Sequence, residues 1–104
     1  RCPPFADLTI LTLSGLDEAA VLRGAVWLRQ AVLDRVRDIP ETEVLGPAPH
    51  PVARVNNRFR YRLTVVGRAE KALRGAIADA TRDFARQGQH RGVSCFADCN
   101  PMDG

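Results

Sequence analysis

Residues 58–65, Arg-Phe-Arg-Tyr-Arg-Leu-Thr-Val, alternate with a period of two. A strand sends successive side chains to opposite faces, so Phe59, Tyr61, Leu63 and Val65 form one side and Arg58, Arg60, Arg62 and Thr64 the other. One side belongs in a core. The other presents three guanidiniums in file, which repel one another in water unless an anion lies across them. The preceding segment narrows the fold further. Pro47, Pro49 and Pro51 fall on alternate residues and remove every second donor along one side. Such a stretch is an edge strand or an extended arm, never a central strand. Between the two segments, Asn56-Asn57 can take the positive φ angles of a tight hairpin turn.

The flanking segments supply the remaining elements. Prolines 3 and 4 make Cys2-Pro3-Pro4-Phe5 an extended approach. Leu8 to Leu13 reads as a strand with Ser14-Gly15 as its exit, although Ile10-Leu11 blurs which residues face inward. Asp17 can cap a helix to about Asp38, with Val21, Ala25, Leu28, Val32 and Val36 as its apolar stripe and Pro40 beyond its end. Trp27, off that stripe, is expected at the edge of the core. Glu43-Val44-Leu45 opens the edge strand, and Gly67 closes the arginine strand. A second helix is expected from about Ala69 to Arg86, burying Ala69, Leu73, Ala76, Ile77, Ala80 and Phe84 and exposing Lys71, Arg74, Arg82 and Arg86, with Gly88 as its stop. Val93 to Asp98 is the final strand.

The order β-α-β-β-α-β in 104 residues predicts a single α+β domain over 1–104. The expected architecture is ferredoxin-like: a four-stranded, mainly antiparallel sheet with both helices on one face. The other sheet face is left open, and the arginines belong on it.

Charge is distributed unevenly. Residues 41–74 hold seven basic groups against three acidic ones, whereas residues 1–40 hold five of each and residues 75–104 hold three basic and four acidic. A local positive field suits a binding surface for phosphates. Three cysteines, an odd number, argue against a disulfide framework and fit a reduced cytoplasmic protein. Cys2, Cys95, Cys99, His50 and His90 lack zinc-ligand spacing, so buried thiols and surface histidines are expected. No apolar run is long enough to span a membrane. Phosphate-loop, dinucleotide and supported nucleophile motifs are absent, which disfavours an enzyme and leaves a binding or scaffolding domain.

Four segments, in this order and spacing, carry a resemblance. They are Cys2-Pro3-Pro4-Phe5, the run Val44-Leu45-Gly46-Pro47-Ala48-Pro49, Arg58-Phe59-Arg60-Tyr61-Arg62, and the closing run from Val93 through Cys95, Phe96, Asp98 and Asn100-Pro101 to Asp103. The chain resembles the C-terminal domain of the bacterial primosomal protein N′ (PriA) family of replication-restart DNA helicases over essentially its whole length. The resemblance implies a fold like that of a ribosomal small-subunit protein, S10. It also implies a fragment of a longer ATP-dependent helicase whose ATP-, magnesium- and zinc-binding parts lie elsewhere, with no cofactor in this fragment. The implied partners are forked or single-stranded DNA, the rest of the helicase chain, and the acidic C-terminal tail of single-stranded DNA-binding protein. For that tail, Lys71 and Arg74 are the candidate contacts.

The residues themselves point to Arg54, Arg58, Arg60 and Arg62, with Asn56 and Asn57 of the hairpin, as the DNA-contacting set. Four phosphate contacts predict a log–log salt slope of about −3 to −4. The open face is expected to lack the pair of aromatic side chains that RNA-recognition sheets use for stacking, so base readout should be minor. Two other readings stay open. In one, the arginines pair with carboxylates on the helicase lobes and the domain merely positions those lobes. In the other, the domain is a small-ligand regulatory module of the ferredoxin-like type.

Overall fold

Asp17 starts the first helix by accepting a hydrogen bond from the backbone N–H of Ala19 at 3.3 Å. The computed structural model describes the backbone of residues 6–68 and 71–101, and the side chains of 8–51, 56–68 and 71–98. The expected roles of Cys2-Pro3-Pro4-Phe5, Ala69 and Glu70 lie outside the described residues. The elements run β1 (Ala6–Gly15), α1 (Glu18–Arg35), β2 (Glu43–Val55), β3 (Arg58–Arg68), α2 (Lys71–Arg86), a 3₁₀ turn (Gly88–His90) and β4 (Ser94–Pro101). The strands pair in the order β2-β3-β1-β4, every neighbouring pair antiparallel. This is the expected α+β, βαββαβ architecture.

The core lies between the sheet and the two helices. Val21, Ala25, Leu28, Val32 and Val36 from the first helical segment are buried, as are Leu73, Ile77, Ala80 and Phe84 from α2. They meet Leu11 and Leu13 of β1 and Leu63 and Val65 of β3, all fully buried. Helix α1 ends three residues before the expected Asp38. Its chain turns out at Val36, and Ile39 packs against the core ahead of Pro40. The helices are also joined by charge. Arg35 Nε donates to Asp79 Oδ2 at 2.9 Å, and the same guanidinium reaches Asp83. The hydrogen bond from Arg35 holds the Asp79 carboxyl below its ordinary range.

Two stretches depart from regularity, one directly after β2 and one within it. Asn56 (φ 53°) and Asn57 (φ 64°) are left-handed at successive positions, the requirement of a two-residue type I′ hairpin turn. At the other end β2 bulges between Leu45 and Ala48, with a cis Gly46-Pro47 bond, and pairs irregularly between Pro49 and Arg54. An edge strand tolerates such interruptions because one side of its ladder is unpaired anyway.

Gly46 has φ 102°, and a Cβ there would lie 2.7 Å from the carbonyl oxygen of Arg62. Gly46→Ala is therefore expected to cost about 1–3 kcal/mol, read as a lower denaturant midpoint with an unchanged m-value. An unchanged midpoint would mean that the bulge relaxes freely.

Helix α2 ends at Arg86, as expected, with Gln87 N–H bonded to the Phe84 carbonyl at 3.1 Å, and Gly88 opens the 3₁₀ turn that follows. One smaller expectation needs correction: His90 is half-buried rather than a surface residue. Its ring stacks on Phe84 (centroids 5.2 Å apart, 8° between planes) with Trp27 at 5.7 Å, and its Nε2 is buried. Desolvation and the neighbouring Arg23 charge hold its pKa below the ordinary value, which favours the neutral ring. Trp27 packs at the core edge as expected.

Candidate nucleic-acid interface

Register decides which residues share the open face, because directly paired residues point the same way. Leu11 and Leu13 are in the core, so Leu8, Ile10, Thr12 and Ser14 of β1 point away from the helices. Their partners on β3 are Val66, Thr64, Arg62 and Arg60. On β4 the partners of Ile10, Thr12 and Ser14 are Asp98, Phe96 and Ser94. The face is graded. Its hairpin end carries Arg58, Arg60 and His50, its middle carries Arg62, Thr12 and Phe96, and its far end is apolar and acidic, with Leu45, Ile10, Asp98 and Glu43.

The three arginines are held differently. Arg58 reaches across β1: Nε donates to Ser14 Oγ at 2.8 Å, and Nη2 donates to the Ser14 carbonyl at 3.0 Å and to Ser94 Oγ at 3.4 Å. These partners are neutral oxygens, so they orient the guanidinium without cancelling its charge. Arg60 Nη2 lies 3.4 Å from His50 Nε2. Arg62 stands between Thr12 on one side and Ala48 on the other, and its side chain makes no hydrogen bond or ion pair among the described residues. Some surface arginines elsewhere are paired, Arg68 with Glu41 at 3.4 Å, Arg37 with Asp34 at 3.2 Å and Arg82 with Asp79 at 3.2 Å, whereas exposed Arg23 and Arg91 make no ion pair among the described residues.

The opposite side of β3 follows the expectation. Leu63 and Val65 are buried, and Phe59 and Tyr61 pack against the core. Tyr61 Oη donates to Glu18 Oε2 at 2.6 Å, tying β3 to the first turn of α1. Asn56 and Asn57 are exposed at the hairpin tip, beside Arg58. Arg54 pairs with Phe59 through its backbone, and its side chain lies outside the described residues. The sheet face thus assembles Arg58, Arg60 and Arg62 with the two asparagines.

Lys71 and Arg74 belong to a different surface. Both are exposed on the first turns of α2, in the helical layer. Arg74 lines a shallow cleft of about 310 Å³ whose other walls are Thr9, Ile77, Ala78, Thr81 and Ala97. A larger cleft of about 460 Å³ lies between the end of α2, the 3₁₀ turn and the start of β4, with Arg86, His90, Arg91 and Cys95 in its lining. Burial pushes the Cys95 thiol up to about 11, so it is protonated at neutral pH and is no nucleophile there. Among the described residues no three histidine, cysteine or acidic side chains gather as metal ligands. No described helix is long and apolar enough to cross a membrane.

Sequence reasoning missed Phe96. It is 64% exposed, directly across β1 from Arg62, through Thr12. Among the described residues the open face therefore carries one phenylalanine, tyrosine or tryptophan side chain, not a pair. The alternation Val93, Cys95, Ala97 against Ser94, Phe96, Asp98 held the signal. Phenylalanine's preference for cores masked it.

With this geometry in place, the chain can be set beside known proteins. A family model described as the primosomal protein N C-terminal domain matches residues 1–102. The chain belongs to this family. The replication restart protein PriA of Bacillus subtilis (strain 168) is 26% identical to it over 100 residues, covering 95% of this chain and 12% of that protein. The primosomal C-terminal domain described here thus spans about an eighth of that relative's length. A solved structure of a de novo designed protein, Foldit4, superposes with a TM-score of 0.63 over 93% of this chain and 98% of its own, at 11% identity. At that identity the likeness concerns the fold alone.

Proposed function

We propose that this primosomal C-terminal domain binds forked or single-stranded DNA through its open sheet face, in a cytoplasmic replication-restart helicase whose ATP-dependent steps are carried out by other parts of the chain. The observation that carries this reading is the arrangement of Arg58 and Arg62. One guanidinium is oriented by neutral oxygens, the other is unpaired among the described residues, and both lie on a face that neither helix covers. Arg60 stands between them in sequence and adds a third positive group, and the exposed asparagines extend the surface toward a phosphate backbone. Because the contacts are to phosphates, affinity is largely independent of sequence and falls steeply with salt.

Lys71 and Arg74 provide a second, smaller surface for the acidic tail of single-stranded DNA-binding protein. The cleft beside Arg74, walled by Ile77, Ala78 and Ala97, offers an apolar seat next to a positive charge. That pairing suits a chain end bearing carboxylates and a hydrophobic side chain. Replacing Lys71 and Arg74 together with alanine should weaken binding of the tail peptide by roughly tenfold and leave DNA affinity unchanged, measured on the full-length protein. Equal peptide affinities would exclude this surface.

The DNA reading is tested by titrating a labelled fork with the domain at several salt concentrations. A log–log slope of about −3 to −4 supports it. Binding too weak to measure would instead favour a domain that positions the helicase lobes through protein contacts.

A further inference from the structure

We infer that Phe96 is a stacking platform for an unpaired base, which makes the open face a binding surface for single-stranded rather than duplex DNA. This rests on the phosphate reading above and adds the class of nucleic acid to it.

Exposed apolar side chains standing singly on a surface are ordinary, and Leu16 and Val26, at 67% and 57% exposure, are of that kind. Phe96 differs in its neighbours. It shares a row with Thr12 and Arg62, two strands away, so its Cα lies about 9.6 Å from that of Arg62 at the usual strand spacing. Two residues before it on the same face, Ser94 accepts a hydrogen bond from Arg58. The ring therefore has guanidiniums both across the sheet and along its own strand. Only the small side chain of Thr12 stands between it and Arg62, leaving a shelf rather than a wall.

A single strand offers two groups that match this arrangement: charged phosphates on one side and flat, unpaired bases on the other. Phosphates over β3 would place the bases toward β1 and β4, where the ring lies. Stacking of this kind tolerates any sequence, because every base presents a π face. A duplex keeps its bases stacked on one another and offers the ring nothing. A protein segment covering the same face would have to neutralise the arginines with carboxylates, whereas a single strand satisfies ring and charges together.

The test compares Phe96→Ala and Phe96→Trp in the 104-residue chain, using a single-stranded oligonucleotide, an abasic strand of the same length, and the duplex. Phe96→Ala should reduce affinity for the single strand roughly tenfold to a hundredfold. Affinities for the abasic strand and the duplex should stay the same, with an unchanged salt slope. Phe96→Trp should restore binding. Because the ring is exposed, the thermal midpoint should move little, which separates lost stacking from lost folding. If Phe96→Ala binds the single strand as well as the parent does, stacking is wrong, and the phosphate reading survives as long as replacing the arginines still weakens binding. If the parent chain binds neither strand nor duplex, the phosphate reading falls and this inference falls with it.

Discussion

Replacing Arg58, Arg60 and Arg62 together with alanine is expected to weaken binding to forked DNA by about a hundredfold to a thousandfold and to lower the salt slope by about two to three. Each phosphate contact contributes about 0.7–0.9 to the slope. At roughly 1–1.5 kcal/mol per charge-assisted contact, three contacts amount to about two to three decades in affinity. The arginines are not equivalent, and single variants should reveal this. Arg62→Ala removes a guanidinium with no bond to the described residues, so its loss should appear in DNA binding alone. Arg58→Ala also strands Ser14, which is buried at 6% exposure and receives the Arg58 Nε hydrogen bond. A modest fall in stability should accompany it, about 1 kcal/mol. Fluorescence anisotropy across a salt series, with thermal melts beside it, reads both. An unchanged affinity for the triple variant would remove the arginine row from the interface.

The second large effect concerns the layer beneath that row. Leu63 lies between Arg62 and Thr64 and is fully buried. Leu63→Ala should cost about 3–4 kcal/mol, the transfer of the lost methyl groups plus the cavity left behind. For a domain of this size that corresponds to a fall of roughly 15–25 °C in melting temperature. Total stabilities are only about 5–15 kcal/mol, so the variant would be partly unfolded at physiological temperature. The contrast is Leu16→Ala. That side chain is 67% exposed, and its truncation should change stability by no more than about 0.5 kcal/mol. A Leu63→Ala variant as stable as the parent would contradict the assignment of its face to the core, and with it the outward placement of the arginines.

Both predictions depend on the alternation in β3, and that alternation was legible because charge and hydrophobicity coincide there. Arg58, Arg60 and Arg62 cannot share a face with a core, so register followed from composition. The turn at Asn56-Asn57 was readable for a similar reason, since few residue pairs accept two consecutive positive φ values. The helix stripes were readable because Val21 to Val36 and Leu73 to Phe84 each follow a single helical period. In β1 the pattern fails. Leu8 and Ile10 are apolar yet lie on the open face, whereas Thr9 is buried at 4% exposure, so apolarity alone could not separate the sides. His90 looked like a loop residue, because Trp27 lies far away along the chain and Phe84, though near in sequence, meets its ring only through the turn that follows α2.

Local pattern by itself determined the element order, the edge position of the proline-rich strand and the side of β3 that carries charge. Each of these depends on backbone period and on residue chemistry within a few neighbours. Tertiary structure alone decided that Ser14 and Ser94 orient Arg58, that Arg74 borders an apolar cleft, and that Phe96 stands in the same row as Arg62. Those relations join strands and helices separated by tens of residues. Their geometry is set by sheet register and layer packing, which no local window of the chain encodes.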